Sequence, residues 1–240
     1  MAGMGTLINV AGIIAGGLIG LMFGKLMTKR FQETLTMACG ICVLFIGIGG
    51  AMEYMLSVTD GKLSSGGSMM IIGCFVLGSL TGELLNIELH LEQFGEWLKA
   101  KTGSSRDNLF VDGFVTASLT VCIGAMAVVG AIQDGIMGDY SILLAKTVLD
   151  FIIVMVMTAS MGKGCIFSAI PVGLFQGFFT LLARLIEPLI TDEAMANLSL
   201  TGSMLIFCVG LNLVWGKKVK VANMLPTIVF AVIWPFLPFH

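Results

Sequence analysis

Charge is scarce in this sequence. Only 12% of its 240 residues are Asp, Glu, Lys or Arg, about half of the ~25% found in soluble domains. So few charges cannot cover a water-facing surface, which excludes an ordinary soluble globular protein. Histidine is scarcer still, with only His90 and the terminal His240. That count excludes a zinc protease and a histidine-based catalytic triad. No phosphate-binding glycine loop is present. No Lys or Arg precedes Lys25, so the opening "MAGMGTLINVAGII" lacks the basic region of a cleaved secretory signal and is expected to be a retained span. The net charge of -2 and the absence of a basic arm argue against nucleic acid as a partner. No enzyme signature stands out.

What the chain has is apolar length. Hydrophobic residues make up 57% of it and the mean hydropathy is +0.98. A helix needs about 20 apolar residues to cross a bilayer core. Eight segments meet that requirement, at roughly 5–25, 35–57, 68–87, 113–133, 140–161, 164–186, 196–215 and 221–239. Pro226, Pro235 and Pro238 make the last the least regular. The sequence therefore predicts an all-α integral membrane protein, a single transmembrane domain over 1–240.

Basic residues concentrate on the cytoplasmic side of membrane proteins. With eight spans, one side holds Lys25, Lys29, Arg30, Lys99, Lys101, Arg106, Lys163, Lys217, Lys218 and Lys220. The other holds only Lys62 and Arg184, and Lys146 falls inside a span. Ten against two predicts both termini outside the cytoplasm. The stretch "NIELHLEQFGEWLKAKTG" sets Leu89, Phe94, Trp97 and Leu98 among charges and is expected to form an interfacial helix on the cytoplasmic face. "LIEPLITDEAMANL" is a shorter outer counterpart.

Glycine recurs at four-residue spacing in "GIIAGGLIGLMFG", at Gly12, Gly16, Gly20 and Gly24, and again at Gly78 and Gly82. Small residues at that spacing let membrane helices approach closely. The expected partners are the first and third spans themselves, or the fourth, where Gly124 and Gly130 also thin the helix. A sliding transport interface and a homodimer face are the other uses of such a stripe. The stripe belongs to a wider similarity. "GGLIGLMFGKLMTKRFQETL" lies against "GSLTGELLNIELHLEQFGEWL", and "TMACGICVLFIGIGGA" against "TASLTVCIGAMAVVGA". Internal repeats are expected at 5–57 and 68–133, with a weaker third at 164–215. By the charge argument the third copy would be inverted, as in many secondary transporters.

Ionisable groups at membrane depth mark functional sites by default. In "SILLAKTVLDFIIV" Lys146 and Asp150 are four apart, on one helical face and within ion-pair reach. Asp150 falls near the midplane. A structural pair and an ion- or substrate-handling pair both fit. "AIPVGLFQGFF" offers Pro171, Gly173 and Gly177 beside Gln176, the composition of either a broken helix or a simple kink. Asn9, Gln133 and Asp134 are expected to line an outer vestibule or to form a solvated turn. Asn212, Asn223, Glu83 and Glu53 are weaker candidates nearer the interfaces. Cysteine pairs such as Cys39 and Cys42, and Met155, Met157 and Met161, suit copper(I) but serve more often as apolar packing. No metal or cofactor is expected.

The stretches "GTLINVAGIIAGGLIGLMFG", "GFVTASLTVCIGAMAVVGAIQDGIMGDYSILLAKTVLD", "FSAIPVGLFQGFFTLLA" and "VANMLP" are similar to the bacterial inner-membrane family catalogued as domain of unknown function 554. At Gln133 similar proteins often carry Glu. The resemblance implies an integral protein of the bacterial inner membrane and brings no substrate or catalytic residue. The functional expectation is a small secondary transporter or ion-coupled permease for a small polar or ionic solute, with Lys146, Asp150 and Gln176 at its centre. The alternative is a membrane scaffold or sensor that packs through its glycine faces.

Overall fold

The computed structural model describes residues 3–26, 28–59, 61–104, 107–123, 125–186 and 191–237. They form helices α1 (Met4–Leu26), α2 (Lys29–Met55), α3 (Ser68–Leu85), α4 (Ile87–Lys101), α5 (Phe110–Cys122), α6 (Ala125–Met137) and α7 (Ser141–Met161). These are followed by a 3-10 segment (Lys163–Ser168), α8 (Ala169–Leu181), α9 (Ala183–Ile186), α10 (Asp192–Trp215), α11 (Val221–Met224) and α12 (Pro226–Ile233). A two-stranded antiparallel hairpin, β1 (Leu56–Thr59) and β2 (Lys62–Ser65), joins α2 to α3. It replaces the plain loop that the span pattern implies.

Among the described residues six segments are long and apolar enough to cross a membrane: α1, α2, α3, α7, the 3-10 segment with α8, and α10. The predicted span at 113–133 is not one straight helix. It breaks after Cys122 into α5 and α6, which meet at 61°, the geometry of a broken span or of a re-entrant loop; as one broken span the pair would be a seventh crossing. The predicted span at 221–239 is a shorter apolar run, Val221–Phe236, built from α11, α12 and a 3-10 turn. The stretch expected to form an interfacial helix is helical, as α4. Its Leu98 and Phe94 turn inward, Phe94 lying 5.8 Å from Phe114, while Leu89 and Trp97 stay exposed. The outer counterpart at 185–198 is no separate helix: α10 begins at Asp192, and 187–190 lie outside the described residues.

Large apolar side chains such as Met22, Phe45, Val148, Leu174 and Leu181 face outward. In lipid they lose nothing by doing so, and close packing holds the helices together instead. The glycines set that packing. Gly12 of α1 faces Thr147, Gly16 faces the Phe151 carbonyl, Gly20 the Met155 carbonyl and Gly24 the Ala159 carbonyl. Both numbers rise together, so α1 and α7 run parallel, backbone against backbone. In α3, Gly78 meets Thr227 and Gly82 meets the Asn223 carbonyl, an antiparallel register with α11 and α12. Gly40 and Gly47 of α2 face Leu213 and Phe207 of α10, also antiparallel. The expectation that the first and third spans pack on each other or on the fourth is therefore corrected. Each glycine face meets a helix from the second half of the chain, and Gly124 lies outside the described residues.

Candidate functional site

Asp150 is the tenth residue of α7, about 14 Å along a helix of 21 residues at ~1.5 Å per residue. That is mid-depth. Its side chain and that of Lys146 are both buried. The Lys146 Nζ donates to Asp150 Oδ1 at 2.8 Å and Oδ2 at 2.6 Å, as the spacing predicts. Its third bond, 2.8 Å to the carbonyl of Val121, is one the spacing does not reveal. Val121 lies in the last turn of α5, where carbonyls lack intrahelical partners. A cation there also meets the negative end of the helix dipole. Lys146 thus caps a broken helix while it pairs with Asp150.

Asn9 belongs to this cluster and not to an outer vestibule. It is fully buried, and its Nδ2 donates to Asp150 Oδ2 at 3.0 Å. The α1–α7 register puts it there. Asp134 is also fully buried and accepts the Gly5 N–H at 3.0 Å. It supplies a carboxylate to the exposed amides and positive dipole end of α1. Gln133 beside it is half-buried. The vestibule expected from Asn9, Gln133 and Asp134 is therefore a packed joint between α1 and α6.

Gln176 is fully buried on α8, with neither amide atom partnered among the described residues. Pro171 does not break a helix beside it. It occupies the first turn of α8, where a missing N–H costs little. The discontinuity the sequence places in the sixth span lies instead in the fourth. Thr6 Oγ1, Asn9 Oδ1 and Asp134 Oδ1 are likewise buried and unpartnered among the described residues. Each such group costs about 1–3 kcal/mol when left dry. They share one half of the molecule: Asp134 touches Gly5, and Val10 lies opposite Gly173, one turn from Gln176.

The other end is charged. Asn223 donates to Glu83 at 2.6 Å and accepts the Glu88 N–H at 2.7 Å, so it locks α11 to α3 and α4. Lys220 pairs with Glu83 at 2.8 Å. Lys217 bridges Glu88, at 2.8 Å, and Glu92. Partial burial pulls the Lys217 ammonium down, but the hydrogen bonds to Glu88 and Glu92 outweigh it and its pKa is raised. Asn212 orders the turn after α10 through Lys218 and Val219. Glu53 is exposed at the far end of α2.

A cleft of about 200 Å³ opens here between α4, α5 and α10, lined by Glu88, Glu92, Asp112, Thr116, Lys217 and Leu119 among others. A second, of about 330 Å³, lies between the ends of α1, α2 and α7, beside Gln32, Asp107 and Thr158. Lys146, Asp150 and Gln176 line neither. Leu119, however, is two residues from Val121, about 3 Å of helical rise. Among the described residues no three His, Cys, Asp or Glu side chains are placed to hold a metal.

The apolar helices and the charges buried at their mid-depth define an all-helical membrane protein. The chain belongs to the family described as "Protein of unknown function (DUF554)", which it matches over residues 4–236. It is 30% identical over 224 residues to the "Uncharacterized membrane protein YdfK" of Bacillus subtilis (strain 168), covering 93% of this chain and 92% of that one. It is 29% identical over 232 residues to the "Uncharacterized protein YqgA" of Escherichia coli (strain K12), covering 95% and 94%. No solved structure matches the chain.

Proposed function

We propose that this protein is a small secondary transporter or ion-coupled permease of the bacterial inner membrane, carrying a small polar or ionic solute by alternating access around the Lys146–Asp150 pair. One observation carries the reading. A buried ion pair sits at a helix break, beside a cleft partly lined by Leu119, two residues from Val121, and in a half of the molecule that holds unpartnered buried polar groups. Discontinuous helices with polar side chains at their broken ends are how transporters build midplane sites. Asn9, Gln176 and Asp134, closed off here by packing between α1, α6 and α8, would have to open to form the outer half of the route, with Gln133 at its edge. The Glu88–Asp112 cleft would form the inner half.

The topology that goes with this has eight crossings, α5–α6 being the fourth and Val221–Phe236 a short eighth. Three crossings then separate α1 from α7, which accords with their parallel register. Four separate α2 from α10 and α3 from α11–α12, which accords with antiparallel ones. The basic residues would lie on the cytoplasmic side with both termini outside, and the weak repeat at 164–215 would be an inverted copy. No catalytic role is assigned to any residue. A scaffold or homodimer acting through Gly16, Gly20, Gly78 and Gly82 is less well supported, because all four are covered within the chain.

The test is electrophysiology on solid-supported membranes. Proteoliposomes receive concentration jumps of inorganic ions, ammonium, amino acids and small carboxylates, with and without a pH step. The expected result is a transient current for at least one solute, abolished by Asp150→Asn and by Lys146→Met. Silence across the panel removes the transport reading. Currents indifferent to both variants remove the site.

A further inference from the structure

The acidic cleft between α4, α5 and α10 has a feature that its charges alone do not explain. Glu88 is only 6% exposed. Its Oε1 receives Lys217, yet its Oε2 is buried with no hydrogen-bond partner among the described residues. A buried, half-satisfied carboxylate in a cleft wall is costly unless something with a positive charge or a hydrogen-bond donor reaches it. Three carboxylates line the cleft, Glu88, Glu92 and Asp112, against the single ammonium of Lys217. The rest of the wall is largely apolar, with Val115, Leu119, Val209 and Leu213.

Lys217 occupies this cleft as a guest would. Its side chain is half exposed and comes from the turn after α10, and its ammonium lies between Glu88 and Glu92. A flexible stem with a compact ammonium is a tethered copy of an aliphatic amine. Among the described residues no metal-binding group of carboxylates forms, and an apolar wall suits an organic body more than a hydrated ion. We infer that the cleft is a binding site for small aliphatic amines, in which Lys217 is the resident competitor and must swing away when an amine binds. This goes beyond the transport reading, because binding is measured without flux. A protein that binds but does not transport would keep this inference and lose the other.

The probe is 1,4-diaminobutane, with 1,4-butanediol as an uncharged control of the same length, titrated into the purified full chain in detergent by calorimetry. Lys217→Ala removes the competitor and should tighten diamine binding about tenfold or more over the wild type, since charge-assisted hydrogen bonds dominate such a site. The diol should bind neither protein. Adding Glu88→Gln to Lys217→Ala should reverse the gain. Asp112→Asn, on an exposed residue that cannot disturb the core, should weaken diamine binding in the same background, so a misfolded Glu88 variant does not leave the question open. The inference is overturned if Lys217→Ala binds no tighter than the wild type. It also fails if the diol binds as well as the diamine, or if Asp112→Asn leaves affinity unchanged.

Discussion

Breaking the buried Lys146–Asp150 pair from one side should cost more than removing it whole. Lys146→Met would leave the Asp150 carboxylate buried with a single donor, the Asn9 amide at 3.0 Å, and would uncap the Val121 carbonyl. Asp150→Asn would leave a buried ammonium with one carbonyl and a neutral amide. Stranding one charge of a buried pair costs about 3–5 kcal/mol. For a chain of this size each kcal/mol moves the melting temperature by about 2–4 °C. Each single variant should therefore melt roughly 6–20 °C lower. The double variant Lys146→Met/Asp150→Asn strands no charge and keeps an acceptor for the Asn9 amide. It loses only the partner of the Val121 carbonyl, at about 1–3 kcal/mol, and should melt no lower than the single variants. The predicted coupling is at least about 3 kcal/mol, well outside the ~0.5 kcal/mol scatter of additive sites. Fluorescence melting in one detergent at fixed pH measures it. Single variants that melt within 2 °C of the wild type, or a double variant that sums the two losses, would refute the reasoning.

Gly20→Ala and Gly82→Ala should each lower the melting temperature, by about 1–3 kcal/mol of overpacking, because the new Cβ meets the backbone carbonyls of Met155 and Asn223. Gly49→Ala, with nothing within 4 Å, should be neutral or stabilise by up to about 1 kcal/mol; a loss there as large as at Gly82 would show that the method is not reading packing. The Lys217 pKa is raised above its ordinary 10.5, so the stability it adds is complete below that pH and lost as pH rises through and beyond it. Wild type and Lys217→Met should accordingly differ in melting at pH 8, with the gap narrowing as pH rises past 10.5, and a gap that does not narrow would contradict the assignment. In a cysteine-free background, Ser64→Cys in the β1–β2 hairpin should react with an impermeant maleimide in intact cells. Lys101→Cys at the end of α4 should react only after permeabilisation, and the reverse pattern would invert the proposed orientation.

Local features of the fold were legible in the sequence; long-range ones were not. The Lys146–Asp150 contact follows from four-residue spacing on one helix, and α4 follows from its mixed face. The glycine faces were readable as close-packing surfaces, but spacing says nothing about a partner 135 positions away. Glycine accepts any smooth neighbour, so α7 and α11–α12 had to come from the structure. Asn9 was misplaced for the same reason: its depth depends on the stagger between α1 and α7. The break after Cys122 carries no proline, whereas Pro171, which looked like a breaker, falls in a first turn where it is harmless. One signal could have located the break. A mid-membrane lysine has three donors to satisfy, and one carboxylate gives it two oxygens. The third acceptor has to come from elsewhere, and an uncapped carbonyl at a helix end is the most available source in a bilayer. Glu88 gave no warning either, because its burial depends on α4 packing against α5 and α11.

The same lysine allows a test of whether the break is a two-state element. In a continuous helix the Val121 carbonyl would accept the N–H of residue 125, four positions on. In the bent form it accepts Lys146 instead. If the Lys146 contact is what holds the Val121 carbonyl away from that N–H, losing the ammonium should favour the straight form. A solute that draws Lys146 or Asp150 away would shift the equilibrium by its differential affinity for the two forms. The bend is 61°. With arms of about 18 and 17 Å from the helical rise, straightening lengthens the end-to-end span by about 5 Å. Spin labels at Asp112→Cys and Met137→Cys, both on exposed residues, report that distance by pulsed electron resonance. Lys146→Met should add a population longer by about 5 Å, because it removes the cap that holds the bend. If the distribution is unchanged by Lys146→Met while the protein remains folded, the bend is fixed by packing alone. The pair would then be a joint and not a latch.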